Sequence, residues 1–214
     1  MSKIKLFKLV MLFVIFWIYT FLCLKVDYKA IGPNGSSVGF SKINLYIHNL
    51  VGVNMIFYYI SDWMGFIPIL FAFGFAVYGF IKMISKGLKM VNPIILFLGG
   101  LYILIIITYI LFEIYVINYR PILINGYLEA SYPSSHIFIT ILVMYTSTMV
   151  FKKICKNSTI NNIVKVFCYL VIIVTIIFRF ISGVHWLTDI IGGILLSICY
   201  IYLYYYLINF IFKN

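Results

Sequence analysis

Runs of apolar residues recur along the whole chain, and the polar residues gather in the gaps between them. A helix rises about 1.5 Å per residue, so about 20 apolar residues cross a hydrocarbon core of about 30 Å. Six runs come near that length, at about residues 6–24, 63–81, 93–117, 136–151, 163–181 and 190–211, the fourth being the shortest. In lipid, backbone N–H and C=O groups must be satisfied within the segment, so each run is predicted to be helical. The pattern therefore predicts an all-α integral membrane protein with six transmembrane helices, one polytopic domain over residues 1–214. The first run has the basic start of a signal peptide. Its apolar stretch from Leu9 to Leu24 is long for one, and no small-x-small cleavage site follows, so it reads as a retained span. The gap after it holds the turn-rich "IGPNGSSVG" and then "FSKINLYIHNLVGV", predicted to form a short helix in the membrane interface, with His48 as a wet polar residue.

Composition excludes a water-soluble domain: of 214 residues 64% are hydrophobic and only 10% charged, too few to cover a soluble surface. The formal charge of +11 would suggest a nucleic-acid partner in a soluble protein. Here the lysines flank apolar runs and alternate between gaps. Lys3, Lys5, Lys8, Lys82, Lys86, Lys89, Lys152, Lys153, Lys156, Lys165 and Lys213 fall on one side, against Lys25, Lys29, Lys42, Arg120 and Arg179. Positive residues favour the cytoplasmic side, which predicts a multi-pass cell-membrane protein with both termini inside and no nucleic-acid role. The four cysteines, Cys23, Cys155, Cys168 and Cys199, have no metal-ligand spacing and read as structural.

Charge beside a bilayer is costly and marks function or a buried partner. Glu113 and Arg120 end the third run, His136 opens the fourth, Arg179 ends the fifth, and His185 and Asp189 open the sixth. With the topology above, all six meet near the outer membrane face. Glu113 and Arg120, seven apart, share a face if the helix continues that far. Pro121 disfavours continuation, which leaves Arg120 at the span's end. His185 and Asp189, four apart, share a face, so the carboxylate can fix the imidazole tautomer. In "EASYPSSHIFIT", Pro133 and Ser134 suit a helix start and its cap, and a helix N-terminus offers free N–H groups to an anion. Two arginines, a serine and such amides describe a phosphate pocket. Two histidines within it describe phosphoryl transfer, one attacking phosphorus and one protonating the leaving oxygen. No metal-ligand cluster is visible in the sequence, so a metal-independent route through a phosphohistidine, without cofactor, is expected.

These residues resemble the motifs of the type 2 phosphatidic acid phosphatase family: Lys-x6-Arg-Pro, Pro-Ser-Gly-His and Ser-Arg-x5-His-x3-Asp. They stand here as "EIYVINYRP" (113–121), "PSSH" (133–136) and "FRFISGVHWLTD" (178–189), in the family's order. The resemblance implies that His185 is the nucleophile, Asp189 its orienting partner and His136 the general acid. It implies that Arg120, Arg179 and Ser134 bind phosphate, with a backbone N–H from Ser135. Three positions depart from it. Glu113 replaces the family lysine and cannot bind a phosphate oxygen. It could pair with Arg120 or Arg179, meet a polar headgroup, or weaken phosphate binding. Ser135 replaces glycine, and Phe178 replaces the serine before Arg179.

The expectation is a membrane lipid phosphatase acting on a lipid phosphomonoester or diphosphate. Undecaprenyl diphosphate, phosphatidic acid and phosphatidylglycerophosphate are its candidate substrates. A phosphotransferase using the same phosphohistidine, and a non-catalytic lipid-binding or transport protein, are the alternatives. Oligomeric state leaves no trace in the sequence. Glu129 and Asp62 read as solvated loop charges, the three tryptophans as an interfacial belt that Trp186 could leave to shape the pocket, and Gly192 and Gly193 as packing residues.

Overall fold

The computed structural model describes residues 2–211, so Lys213 of the charge pattern lies outside the described residues. Among the described residues eight α-helices are present: α1 (Ser2–Lys25), α2 (Ser41–Val51), α3 (Met55–Met64), α4 (Phe66–Lys86), α5 (Pro93–Ile114), α6 (Ser135–Ile154), α7 (Ser158–Ile181) and α8 (Leu187–Ile211). A two-residue antiparallel pair, β1 (Lys29–Ala30) with β2 (Ser37–Val38), closes the turn after α1. Six stretches are long and apolar enough to cross a membrane, with α3 and α4 counting as one from Met55 to Ser85. Each of the six predicted runs overlaps one of them.

The ends differ where a polar residue interrupts the apolar pattern. The second span begins at Met55 instead of 63, because Ser61 and Asp62 lie inside α3 and are satisfied there by tertiary partners. The third ends at Ile114, so Arg120 lies in the following loop and shares no helix face with Glu113. The sixth starts at Leu187, three residues early, because Asp189 in its first turn accepts the Trp186 N–H (2.9 Å) and stabilises the helix start.

The short fourth span is the centre of the bundle. Over its apolar window α6 is 56% buried, against 11% for the α3–α4 stretch, and it packs against α4, α7 and α8. A helix surrounded by protein can carry hydroxyls that lipid-facing helices avoid. Thr146 and Ser147 are fully buried and return their hydroxyls to backbone carbonyls one turn earlier. α1 packs on α8, and Phe16, Leu98, Leu142 and Tyr204 belong to the shared apolar core.

The predicted interfacial helix exists as α2, and it is pinned to α8. Asn44, fully buried, donates to the Gly39 carbonyl (2.8 Å) and the Thr188 hydroxyl (3.0 Å), and its Oδ1 accepts the Thr188 N–H (3.3 Å). Replacing that amide strands its buried partners, so Asn44→Ala is expected to destabilise the fold by about 2 kcal/mol. A lowered thermal unfolding midpoint of the detergent-solubilised protein checks this. His48, on the same helix, is half-buried and packs against the Trp186 ring (5.4 Å between centroids), so it is not simply a wet interfacial residue.

Candidate active site

The ends of four spans and the loops between them meet at one end of the bundle. α5 and α7 arrive there with their C-termini, α6 and α8 with their N-termini. The α5–α6 connection folds back on itself through bridges Tyr119↔Ala130 and Ile124↔Tyr127. That fold sets Arg120 opposite Glu129, with the Arg120 N–H on the Glu129 carbonyl (3.1 Å), and delivers Asn118 and Ser131 to the start of α8.

His185 lies in the turn between α7 and α8 and is buried. Its Nδ1 is 3.7 Å from Asp189 Oδ2, too far for a hydrogen bond, so Asp189 does not hold the ring directly as the spacing suggested. Ser131 stands between them. Its hydroxyl donates to Asp189 Oδ2 (2.5 Å) and lies 3.0 Å from His185 Nδ1. A hydroxyl has one hydrogen, and here the carboxylate takes it. The contact to Nδ1 is then filled by Nδ1–H donating to Ser131 Oγ, which leaves Nε2 with its lone pair. That Nε2 faces the Ser134 hydroxyl at 3.3 Å. Asp189 is fully buried and is held further by Asn118 Nδ2 (3.0 Å) and the Trp186 N–H.

Burial is the main reason the His185 imidazole is held well below the usual histidine range, and the nearby Arg120, Arg179 and His136 add to it. A neutral ring is the nucleophilic form.

Ser134 takes the N-cap position of α6, but its side chain makes no capping bond and points to His185 instead. Its own N–H donates to the Asp189 carbonyl (3.0 Å), tying the start of α6 to α8. The contact is close: a Cβ on Gly193 would lie 2.9 Å from the Ser134 carbonyl oxygen, so the packing role expected of this glycine is seen in the seating of the site. Ser135 opens α6, whose first-turn N–H groups have no intrahelical acceptor.

The arginines are buried, Arg179 completely. Arg179 Nη2 donates to Asp62 Oδ1 (3.0 Å), and its guanidinium lies over the Tyr58 ring. Arg120 Nε is 3.0 Å from Glu129 Oε2, an ion pair by distance whose N–H is not aimed at the oxygen. Arg120 Nη1 and Arg179 Nε and Nη1 are buried without a hydrogen-bond partner among the described residues. Asp62, which lies on α3 and not in a loop, and the loop residue Glu129 are thus ion-pair partners of the site, with side chains still 46% and 41% exposed. His136, in the first turn of α6, places Nε2 3.0 Å from Asp62 Oδ1.

Glu113 is exposed at the end of α5 and forms no ion pair with either arginine among the described residues. It lines one cavity with Tyr109, Ser131, Ser135 and His185. A second, of about 290 Å³ and mostly apolar, holds His136 and Asp62, and Tyr109 and Ser135 border both. Trp186 is buried and donates from Nε1 to the Tyr119 carbonyl (2.8 Å), so it belongs to the site and not to a membrane belt. Trp17 and Trp63 are exposed. Among the described residues, no three His, Cys, Asp or Glu side chains form a group that could hold a metal ion.

The PAP2 superfamily matches this chain over residues 115–213. Over that stretch the chain is similar to the PAP2 superfamily. The match takes in Arg120, the "PSSH" segment and the Arg179–Asp189 segment, and it begins just after Glu113. Among curated proteins no sequence match is found. Among solved structures, the fold resembles the crystal structure of a transmembrane PAP2-type phosphatidylglycerolphosphate phosphatase from Bacillus subtilis. The TM-score is 0.64 at 16% identity, over 93% of this chain and 94% of that one. The fold is therefore shared at low identity, and the segment similar to PAP2 supplies the α6, α7 and α8 frame around His185.

Proposed function

We propose that this protein is a membrane lipid phosphatase of the PAP2 superfamily that works through a phosphohistidine. The observation that carries the reading is two buried, incompletely paired arginines close enough to a buried histidine to depress its protonation, with Ser131 and Asp189 on the histidine's Nδ1 side. Buried guanidinium donors are costly unless an anion matches them, and a phosphoryl group offers that match.

In this reading Arg120, Arg179, Ser134 and the first-turn amides of α6, including that of Ser135, bind the phosphoryl oxygens. His185 Nε2 attacks phosphorus. The P–O bond to the lipid breaks, and His136 protonates the departing oxygen. Water then attacks the phosphohistidine, His136 takes its proton, and inorganic phosphate leaves. Ser131 and Asp189 hold His185 in the attacking tautomer. Glu113 faces the headgroup side of the cavity, where the family lysine would have added positive charge. The lysine distribution supports a site on the outer face, with both termini cytoplasmic.

Phosphatidylglycerophosphate is the first substrate to test, in view of the Bacillus subtilis structure, followed by phosphatidic acid and undecaprenyl diphosphate. Purified protein in mixed micelles is expected to release inorganic phosphate from at least one of the three, at an unchanged rate in EDTA. Transfer to an added alcohol without free phosphate would identify a phosphotransferase instead, and loss of activity in EDTA would contradict the metal-independent route.

A further inference from the structure

Asp62 lies outside all three motifs and outside the 115–213 match, on α3 at the edge of the second cavity. One of its oxygens, Oδ1, is 3.0 Å from both His136 Nε2 and Arg179 Nη2. The other nitrogen of His136, Nδ1, is buried and has no hydrogen-bond partner among the described residues. The junction of α3 and α4 is shaped for this contact. A Cβ on Gly65 would come within 3.2 Å of His136 Cδ2, so the ring would have to give by a few tenths of an ångström.

We propose that Asp62 is a positioning residue for the general acid, and that His136 donates its proton from Nδ1. This rests on the phosphatase reading above. Nε2 and Asp62 Oδ1 form an ion pair by distance, so with the Nε2–H side of the imidazolium directed at Asp62 one donor is left, on Nδ1. As the P–O bond breaks, its electron pair goes to the leaving oxygen, which takes the Nδ1 proton. His136 becomes neutral and keeps Nε2–H on the carboxylate. The same Asp62 oxygen fixes Arg179, so one carboxylate sets the proton donor and a phosphate ligand in register. Asp189 does the corresponding work for His185 through Ser131, so each histidine has its own carboxylate on a different helix.

General acid catalysis matters for a poor leaving group and hardly at all for a good one, which sets the test. The full-length protein in detergent is assayed on an alkyl lipid phosphomonoester and on p-nitrophenyl phosphate. Asp62→Asn is expected to lower kcat on the lipid by about 10-fold to 100-fold, part of the about 10²–10⁴-fold a positioned general acid supplies. It is expected to leave kcat on the nitrophenyl ester within about 3-fold of the parent, because that leaving group needs no proton and the amide oxygen of the variant still accepts the Arg179 Nη2–H. Asp62→Glu, which keeps the carboxylate, should recover much of the lipid rate. The double variant Asp62→Asn/His136→Gln should be no slower on the lipid than His136→Gln alone, since both changes remove one function. Equal losses on the two substrates, a raised KM with kcat unchanged, or additive losses in the double variant would overturn the proposal. Should Asp62→Asn fail to fold, Asp62→Ser carries the same comparison. His185→Ala separates the two readings: it should abolish both activities, and if it does not, the phosphatase mechanism fails whatever Asp62 does.

Discussion

His185→Ala is expected to lower phosphate release by at least about 10³-fold while the protein still folds as a six-helix membrane protein. The loss is large because no neighbour can replace it. In this structure the ring offers the one Nε2 whose lone pair is freed by a fixed hydrogen-bond chain and faces the Ser134 hydroxyl. Ser134 is too weak a nucleophile without a base, and His136 is engaged with Asp62. The ring is small and buried among polar partners, so its loss removes chemistry more than packing. A thermal midpoint within a few degrees of the parent, with phosphate release gone, is the expected pair of results. Retained release would place the chemistry elsewhere.

The same residue sets a pH expectation. The folded protein holds His185 neutral well below pH 6.5, whereas the unfolded chain takes up that proton near pH 6.5. Stability from this group is therefore full above pH 6.5 and falls as the pH drops below it. The nucleophile stays competent at mildly acidic pH. A substrate phosphomonoester has its own second ionisation near about pH 6, so a rate profile mixes the two. A ¹⁵N-imidazole titration in detergent separates them, and is expected to show His185 Nε2 unprotonated at pH 6.

Much of this was legible in the sequence because it is local. Six apolar runs, the Pro-Ser-Ser-His start of α6 and the Arg179–His185–Asp189 spacing are patterns within short segments, and each lies where the pattern placed it. Partnerships across helices were not legible. Asp62 looked like a loop charge because an acidic residue ends an apolar run in any linear reading, and only the α3–α7 packing brings it to Arg179. Ser131 is one of several hydroxyls in "EASYPSSH", and nothing in its neighbours marks it as the bridge between His185 and Asp189. Asn118, uncharged and in a loop, carried no signal at all, although it holds Asp189. The early span starts at 55 and 187 share one cause. Polar groups that tertiary contacts satisfy can lie inside helices that hydropathy would end or delay.

The second large effect follows from the direction of that chain of hydrogen bonds. Asp189 only accepts, from Asn118, Trp186 and Ser131, so the Ser131 hydroxyl is obliged to donate to it and to accept from His185 Nδ1–H. Asp189→Asn keeps the shape and changes that rule. The Ser131 hydroxyl and the Trp186 N–H share Asp189 Oδ2, so an Asn amide turned with its NH₂ toward Ser131 gives up the Trp186 bond, and the Ser131 hydroxyl then donates to His185 Nδ1. The ring proton moves to Nε2, and the nitrogen aimed at phosphorus loses its lone pair. By analogy with the Ser-His-Asp triad, where the same change selects the wrong tautomer, kcat is expected to fall by about 10³–10⁴-fold with KM little altered. Ser131→Ala is the informative companion. It cuts the link without reversing it, so His185 keeps access to the reactive tautomer, and its loss should be smaller than that of Asp189→Asn. An Asp189→Asn variant no slower than Ser131→Ala would mean that proton direction through Ser131 does not control His185.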